Sequence, residues 1–320
     1  MSQIRIAVIG AGQLDADHQN ALRTLSRQQT LTAYSLDLID EVAGRGALQN
    51  AKAANALDAV MIAAPREQML RWLQIALESG LHAYSVHPIP ASIEDMVEIR
   101  RAEQAAPDQI LQFGFTARQH ESIQTALAKS RTGEYGNLLT LRAVCGLSGP
   151  GEDSLLAGPA AQMVDLMHIF AGPFQDISGF GDLGQTGSEQ NIQAVLRTHS
   201  GTLASLHVSA TQWRETFRLE LGYERGYLWL EGLTSKTHNF GQEVLVYART
   251  GQSGAQHETV ERFQESYGPQ SALEQFIARL HDPSQPATGT SQQAFDTLNT
   301  LQRIHAADPI TSFSEERQAS

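Results

Sequence analysis

The sequence predicts an α/β chain of two domains, the first built on a parallel sheet, and three observations carry that expectation. Its 320 residues exceed what one hydrophobic core usually holds. A short apolar run, Ile4 to Ile9, meets Gly10-Ala11-Gly12-Gln13-Leu14-Asp15, and a helical pattern follows from Ala16 to Leu25. Strand-like and helix-like segments then alternate as far as Val86, the order that produces parallel strands joined by crossovers.

Taken in order, the first strand, glycine turn and helix have the form of a dinucleotide-binding, or Rossmann, opening. Gly10 permits the tight turn, Gly12 lets backbone N–H groups approach a pyrophosphate, and the positive end of the following helix stabilises it. The next apolar stretch, Leu31 to Asp37, ends in an acid near where such folds place the carboxylate that accepts hydrogen bonds from the adenosine ribose. Asp40 is a rival for that role, and a loop acid or helix cap is the structural alternative for Asp37. Leu57 to Pro65 reads as a buried strand stopped by proline, Glu67 to Ser79 as an amphipathic helix capped by Gly80, and His82 to Val86 as a strand ending at His87-Pro88. Gly12, Asp37, Pro65 and His87 thus all fall at strand carboxyl ends, where ligands of open α/β sheets bind.

Composition narrows the class. Hydrophobic residues at 41% and charged residues at 18% suit a packed globular chain, with fraying expected only at the tail from Ser314 to Ser320. A formal net charge of −12 works against direct nucleic-acid binding, which depends on clustered Lys and Arg. The first residues run straight into a strand without a basic leader, and no stretch approaches the roughly 20 apolar residues of a membrane span, so a cytoplasmic location is expected. The single cysteine, Cys145, has no Cys or His at metal-ligand spacing and reads as a buried apolar thiol, so no metal site is expected.

These residues resemble the glucose-fructose oxidoreductase / inositol dehydrogenase / MocA (Gfo/Idh/MocA) family. That family shows a G-x-G-x-x-G-x-x-H opening, matched by Gly10, Gly12 and His18, and T-P-N and E-K-P strand ends, onto which Ala64 to Pro88 can be laid without a gap. Gly114-Phe115-Thr116-Ala117-Arg118 is similar to the family's G-F-x-x-R exit from the first domain; Gly172-Pro173-Phe174 and Glu220 to Gly232 match a later turn and hairpin. The resemblance implies a Rossmann domain over residues 1–118 and a C-terminal α+β domain over 119–320 with a large, mostly antiparallel open sheet, whose exposed face forms dimers or tetramers. Short strand-like segments at Leu138–Val144, Asn191–Thr198, Thr202–Ala210, Phe217–Gly222 and Tyr227–Glu231, and amphipathic segments at Leu273–Leu280 and Ala294–His305, agree with it. It also implies NAD or NADP as cofactor, with Gly10, Gly12, Gln13, Leu14, Asp37, Ala64, Pro65, Arg66 and His87 as its contacts.

The chain departs from the family where the chemistry lies. Asp15 replaces the third glycine, which puts an acid beside the pyrophosphate turn or, equally, at the start of a helix whose dipole favours it. The E-K-P lysine is His87, and none of the chain's three lysines, Lys52, Lys129 and Lys236, lies at that strand end. Anchored on Gly172, the helix motif D-x-G-x-H with its following acid places Asp165 at the second acid, Gln162 at the catalytic histidine and Gly158 at the first aspartate. His168 fits that role only by spoiling the spacing, and reads as a packed or capping histidine. The preceding loop, Gly146 to Gly158, is short and rich in Gly and Ser. Glutamine hydrogen-bonds but takes no proton at neutral pH, whereas His87 can act as acid or base, contact ligand, or serve structure alone. The site residues expected are therefore His87, Gln162 and Asp165. Two functions remain open: an oxidoreductase acting on a sugar, cyclitol or related polyol, and a catalytically inactive sensor or assembly protein that keeps the fold. No H-E-x-x-H or G-x-S-x-G motif points to a hydrolase.

Overall fold

A computed structural model describes residues 3–36, 41–149, 155–183, 189–250, 257–264 and 267–307. Asp37, Asp40 and the tail from 308 onward lie outside the described residues. The chain divides into two compact units, Met1–Thr116 with Tyr267–Leu298, and Ala117–Ser266 with Asn299–Ser320.

The first unit alternates β1 (Ile4–Ile9), α1 (Ala16–Arg27), β2 (Leu31–Leu36), α2 (Glu41–Ala53), β3 (Ala59–Ile62), α3 (Arg66–Glu78), β4 (His82–Ser85), α4 (Ile93–Ala105) and β5 (Leu111–Phe113). Every strand pairing is parallel and the order is β2-β1-β3-β4-β5. Strands buried on both faces need continuous apolar sequence, and Ala59, Val60, Met61 and Ile62 are all fully buried. The order reverses between β1 and β3, which makes the carboxyl ends at Gly10 and Ala63 the topological switch point of the sheet.

The second unit contains α5 (Glu121–Arg131), β6 (Leu138–Ser148), α6 (Ala161–Ala171), and β7 (Phe174–Leu183), β8 (Glu189–Thr198), β9 (Leu203–Ser209), β10 (Thr211–Tyr223), β11 (Gly226–Glu231), β12 (Val244–Arg249) and β13 (Thr259–Arg262). These eight strands form one sheet in the order β13-β12-β11-β10-β6-β9-β8-β7, antiparallel except for the β6–β9 pair. Along β8, Ile192, Ala194 and Leu196 are buried while Gln193, Val195 and Arg197 are exposed, the period-two pattern of a sheet with one covered face. Register carries Phe180, Val195, Leu203 and Trp229 onto the opposite, open face, where they are 48–68% exposed.

The division differs from a single cut near Arg118. Helix α7 (Gly268–His281) belongs to the first unit, where Ala272, Leu273, Phe276 and Ile277 join Ile6, Val8, Met61 and Tyr84 in one core cluster. Burial of each large apolar side chain there is worth about 1.5–3 kcal/mol, which explains the placement. Gly289 follows into the same unit: its carbonyl accepts from Phe113 N–H at 2.7 Å, extending the edge beside β5. The last helix, α8 (Ser291–Ala307), contributes Thr300, Arg303 and Ile304 to the second unit.

Candidate active site

In the first unit the turn after β1 is built by Gly10, whose φ of 76° lies in the left-handed region. A Cβ there would sit 3.0 Å from the backbone of Ala63 and Ala64, so the close approach of turn to β3 requires glycine. At Gly12 a Cβ would meet nothing within 4 Å, so the turn is open on that side. The turn continues as one 3-10 turn, in which Gln13 N–H donates to Gly10 at 2.9 Å and Leu14 N–H to Ala11 at 3.4 Å. Leu14, expected among the cofactor contacts, is a core side chain whose own N–H is already engaged; Gln13 is exposed.

Asp15 resolves as the N-cap of α1. Its carboxylate accepts His18 N–H at 2.7 Å and His18 Nδ1–H at 2.9 Å. Burial pushes the Asp15 carboxyl up, but the bonds and charge of His18 and the N–H groups of His18 and Asp17 outweigh it and hold it below the usual value. The acid and the histidine that completes the glycine motif are thus one local unit. Asp15 fills the capping position of the helix end on which an anion would otherwise rely.

The other strand ends are tied together. His87 donates Nε2–H to the Ala64 carbonyl at 3.1 Å. Arg66, beside Pro65 at the start of α3, donates from Nη2 to the Pro90 carbonyl at 2.6 Å and from Nε to Ile89 at 3.4 Å. Gly10, Gly12, Ala64, Pro65, Arg66 and His87 therefore share the carboxyl-end rim of this sheet. Asp37 falls outside the described residues.

In the second unit, Pro159 sits within a π-helical turn, Leu156–Ala160, that leads into α6; Ala160 N–H reaches back to the Leu155 carbonyl at 3.0 Å. Gln162 follows on α6, and its Oε1 accepts Ala117 N–H at 3.2 Å. Asp165, one turn on, is fully buried and grips Arg118 with both oxygens, one of them 2.7 Å from Nε. Asp165 thereby anchors the arginine of the G-F-x-x-R segment. His168 lies further along: Nε2 meets Thr300 Oγ1 at 3.1 Å, the ring packs on Phe174, and burial, helped by the Arg118 charge, lowers it to about 4.

Two histidine–carboxylate pairs of the second unit escaped sequence analysis. Glu243, fully buried, accepts from His120 Nδ1–H at 2.7 Å, Ser122 Oγ–H at 2.7 Å and Thr234 N–H at 2.9 Å. Burial pushes Glu243 up, yet those donors hold it below its usual value. At the start of β10, Glu215 accepts from His238 Nδ1–H at 3.1 Å, from Ser148 Oγ–H at 3.4 Å and from Asn239 N–H. The partners lie 123 and 23 residues apart in sequence, so no local motif could announce either pair. Among the described residues no group of three His, Cys, Asp or Glu side chains is placed to hold a metal ion, and no helix is long and apolar enough to cross a membrane.

A glycine turn at the switch point of a parallel sheet defines the first unit as a dinucleotide-type fold, and the second unit carries a broad, mostly antiparallel sheet. No family model matches the chain. Inositol 2-dehydrogenase of Corynebacterium glutamicum (strain R) is 25% identical over 248 residues, 70% of this chain and 72% of that protein. Inositol 2-dehydrogenase of Leifsonia xyli subsp. xyli is 29% identical over 154 residues, 44% of each chain. Among solved structures, levoglucosan dehydrogenase in complex with NADH and L-sorbose superposes with a TM-score of 0.78 at 12% identity, covering 96% of this chain and 97% of that one. UDP-N-acetylglucosamine 3-dehydrogenase of Acidithiobacillus ferrooxidans gives 0.77 at 17% identity, covering 96% and 98%. The chain is thus similar in sequence to inositol 2-dehydrogenases and shares the fold of these sugar dehydrogenase structures.

Proposed function

We propose that this chain is an NAD(P)-dependent oxidoreductase acting on a sugar, cyclitol or related polyol. The observation that carries the reading is the Gly10 turn, pressed to 3.0 Å of the β3 end at the switch point and open above Gly12. That cradle fits a pyrophosphate, and Asp15, already answered by His18, leaves less uncompensated charge beside it than a free carboxylate would. Gly10, Gly12, Ala64, Pro65, Arg66 and His87 would hold the dinucleotide. The chemistry supplied by a bound nicotinamide is the acceptance or donation of hydride. For this chain, His87 holds the strand end at which the ligand would lie through its bond to Ala64, and Gln162 hydrogen-bonds a substrate hydroxyl without taking its proton. The open sheet face bearing Phe180, Val195, Leu203 and Trp229 supports a homodimer or homotetramer, since apolar side chains gathered there are covered by self-association.

The test is NADH and NADPH binding by fluorescence and calorimetry, followed by hydride exchange across a panel of polyols and sugars beginning with myo-inositol. Binding with turnover on a panel member supports the oxidoreductase. The replacement of the family's lysine, aspartate and histidine by His87, Gly158 and Gln162 favours a second reading, a non-catalytic dinucleotide-binding sensor. Binding without hydride exchange on any panel member decides for it.

A further inference from the structure

One cavity of the second unit is lined by residues of that unit alone. Its volume of about 380 Å³ falls within the roughly 300–1,000 Å³ of small-molecule pockets, and its walls are the end of α5, the loop that follows, and strands β12 and β13. We infer that this cavity binds a compact phosphomonoester, with Arg249 and Lys129 taking the phosphate and the Tyr135 hydroxyl donating to it, whether or not the chain transfers hydride.

The wall is built around Tyr135. Glycine at 226 leaves room for its ring, since a Cβ there would come 2.9 Å from Cδ1. The ring packs on Tyr223 at 5.5 Å, and Arg225 pins the loop that carries it: its N–H donates to Tyr135 O at 2.9 Å, Nη2 to Gly133 O at 3.0 Å and Nε to Glu134 O at 3.2 Å. Tyr135 is only 5% exposed, yet its hydroxyl meets no hydrogen-bond partner among the described residues. The groups whose charges reach that hydroxyl are Lys129, Tyr247, Arg249 and Glu134, all of which line the cavity, so it points inward. Burial raises the phenol above its usual value against the pull of Lys129, which keeps it a donor at neutral pH. A phenol so enclosed, with its hydroxyl unpaired, is completed by an acceptor placed in the cavity.

The charges select an anion. Tyr247 and Arg249 lie two residues apart on β12 and so share a face, the one on which Lys129 of α5 rests with Nζ 3.9 Å from the centre of the Tyr247 ring. Glu261 fixes this arrangement from outside the lining: it takes Tyr247 O–H at 2.7 Å and stands 3.2 Å from Lys129 Nζ. Arg249 spends Nη1 on Glu134 at 2.5 Å and leaves Nε and Nη2 without a partner among the described residues, the edge of a guanidinium that grips phosphate with two parallel bonds. Lys129 and Arg249 thus outnumber Glu134 within the lining, in a chain where Asp and Glu outnumber Lys and Arg 35 to 23. Because Glu261 partly offsets Lys129, Arg249 carries the greater share of the phosphate charge. A bare phosphate ion would leave most of the volume unfilled, and the Tyr135 ring with Ala248 supplies wall for a small organic group.

Binding is also opposed from within. Glu134, its side chain half exposed, competes with the ligand for Arg249, so removing its charge should help the phosphate rather than hurt it. Were the Glu134–Arg249 pair structural only, neither substitution would change the affinity for an anion.

The test is calorimetry on the full chain in phosphate-free buffer at low salt, with glucose 6-phosphate, inorganic phosphate and succinate as titrants. Glucose 6-phosphate should bind one per chain, more tightly than inorganic phosphate or succinate, and NADH should not displace it. Arg249→Gln should weaken that binding about tenfold or more and Tyr135→Phe roughly two- to tenfold, whereas Glu134→Gln should tighten it roughly two- to fivefold. Tyr135→Phe keeps the ring, so it separates loss of the hydroxyl from loss of packing. Succinate binding as tight as glucose 6-phosphate overturns the phosphate, and inorganic phosphate binding as tight overturns the organic group. Displacement by NADH, no binding at millimolar concentration, or binding indifferent to Arg249→Gln and Tyr135→Phe overturns the site.

Discussion

Acidification from pH 7 to pH 5 should weaken the second unit through His168, the one histidine on the helix that carries Gln162 and Asp165. Its imidazole is neutral in the fold, bonded to Thr300 and packed on Phe174, and burial lowers it from 6.5 to about 4. Because the folded value lies below the unfolded one, the unfolded chain binds more protons between pH 6.5 and pH 4. The stabilisation is therefore complete above 6.5 and is lost as pH falls towards 4. A shift of this size corresponds to roughly 3 kcal/mol in total, with about 2 kcal/mol already gone at pH 5. Urea unfolding of wild type and His168→Asn at pH 7.5, 6 and 5 isolates the term, since other acids contribute equally to both proteins. The variant should lose most of the slope between pH 6.5 and 5, and His168 should leave no inflection in any pH–rate profile near neutrality. Parallel slopes, or a His168 resonance that titrates above pH 6, would refute the reasoning and restore His168 as a candidate base.

Further outcomes are expected of five variants. Asp15→Asn keeps the cap but removes the charge, so calorimetry should show tighter dinucleotide binding, while Asp15→Gly should also bind more tightly at a stability cost of a few tenths to about 1 kcal/mol; unchanged or weaker binding in both counts against repulsion. His87→Ala should weaken dinucleotide or substrate binding by freeing the loop tied to Ala64, and Gln162→His should raise turnover only modestly, because Gly158 supplies no aspartate to orient the new ring; a full gain of activity would show that orientation is unneeded. Val195→Lys with Phe180→Lys should shift the sedimentation coefficient to that of a monomer without lowering the melting temperature by more than a few degrees, and an unchanged coefficient would remove the open sheet face as the interface.

Much of the scaffold was legible because it rests on local rules. The β1 turn, the α3 helix with Gly80 behind it, and the alternation along β8 follow from glycine chemistry and periodicity. Other elements were hidden by residues serving a neighbour. Helix α2 carries Gly44 and Gly46, which argue against a helix, yet a Cβ at Gly44 would meet the Trp72 ring at 2.6 Å, so packing against α3 explains the glycine. Strand β7 reads poorly for a similar reason: a Cβ at Gly179 would come within 3.1 Å of Ile304. For the candidate site, spacing nominated the strand-end residues and Gln162. It could not tell that Asp165 is consumed by Arg118 or that Glu215 meets His238, since those facts are made by tertiary folding.

The return of α7 to the first unit has a consequence for synthesis. Residues 1–116 leave the ribosome well before Ala272, Leu273, Phe276 and Ile277, with about 150 residues between, a delay on the order of ten seconds at ordinary elongation rates. Through that interval the dinucleotide-type sheet has one flank unfinished, with Tyr84 and its neighbours waiting for a partner. A chain cut anywhere before Gly268 therefore lacks part of the first unit's core as well as the end of the second unit.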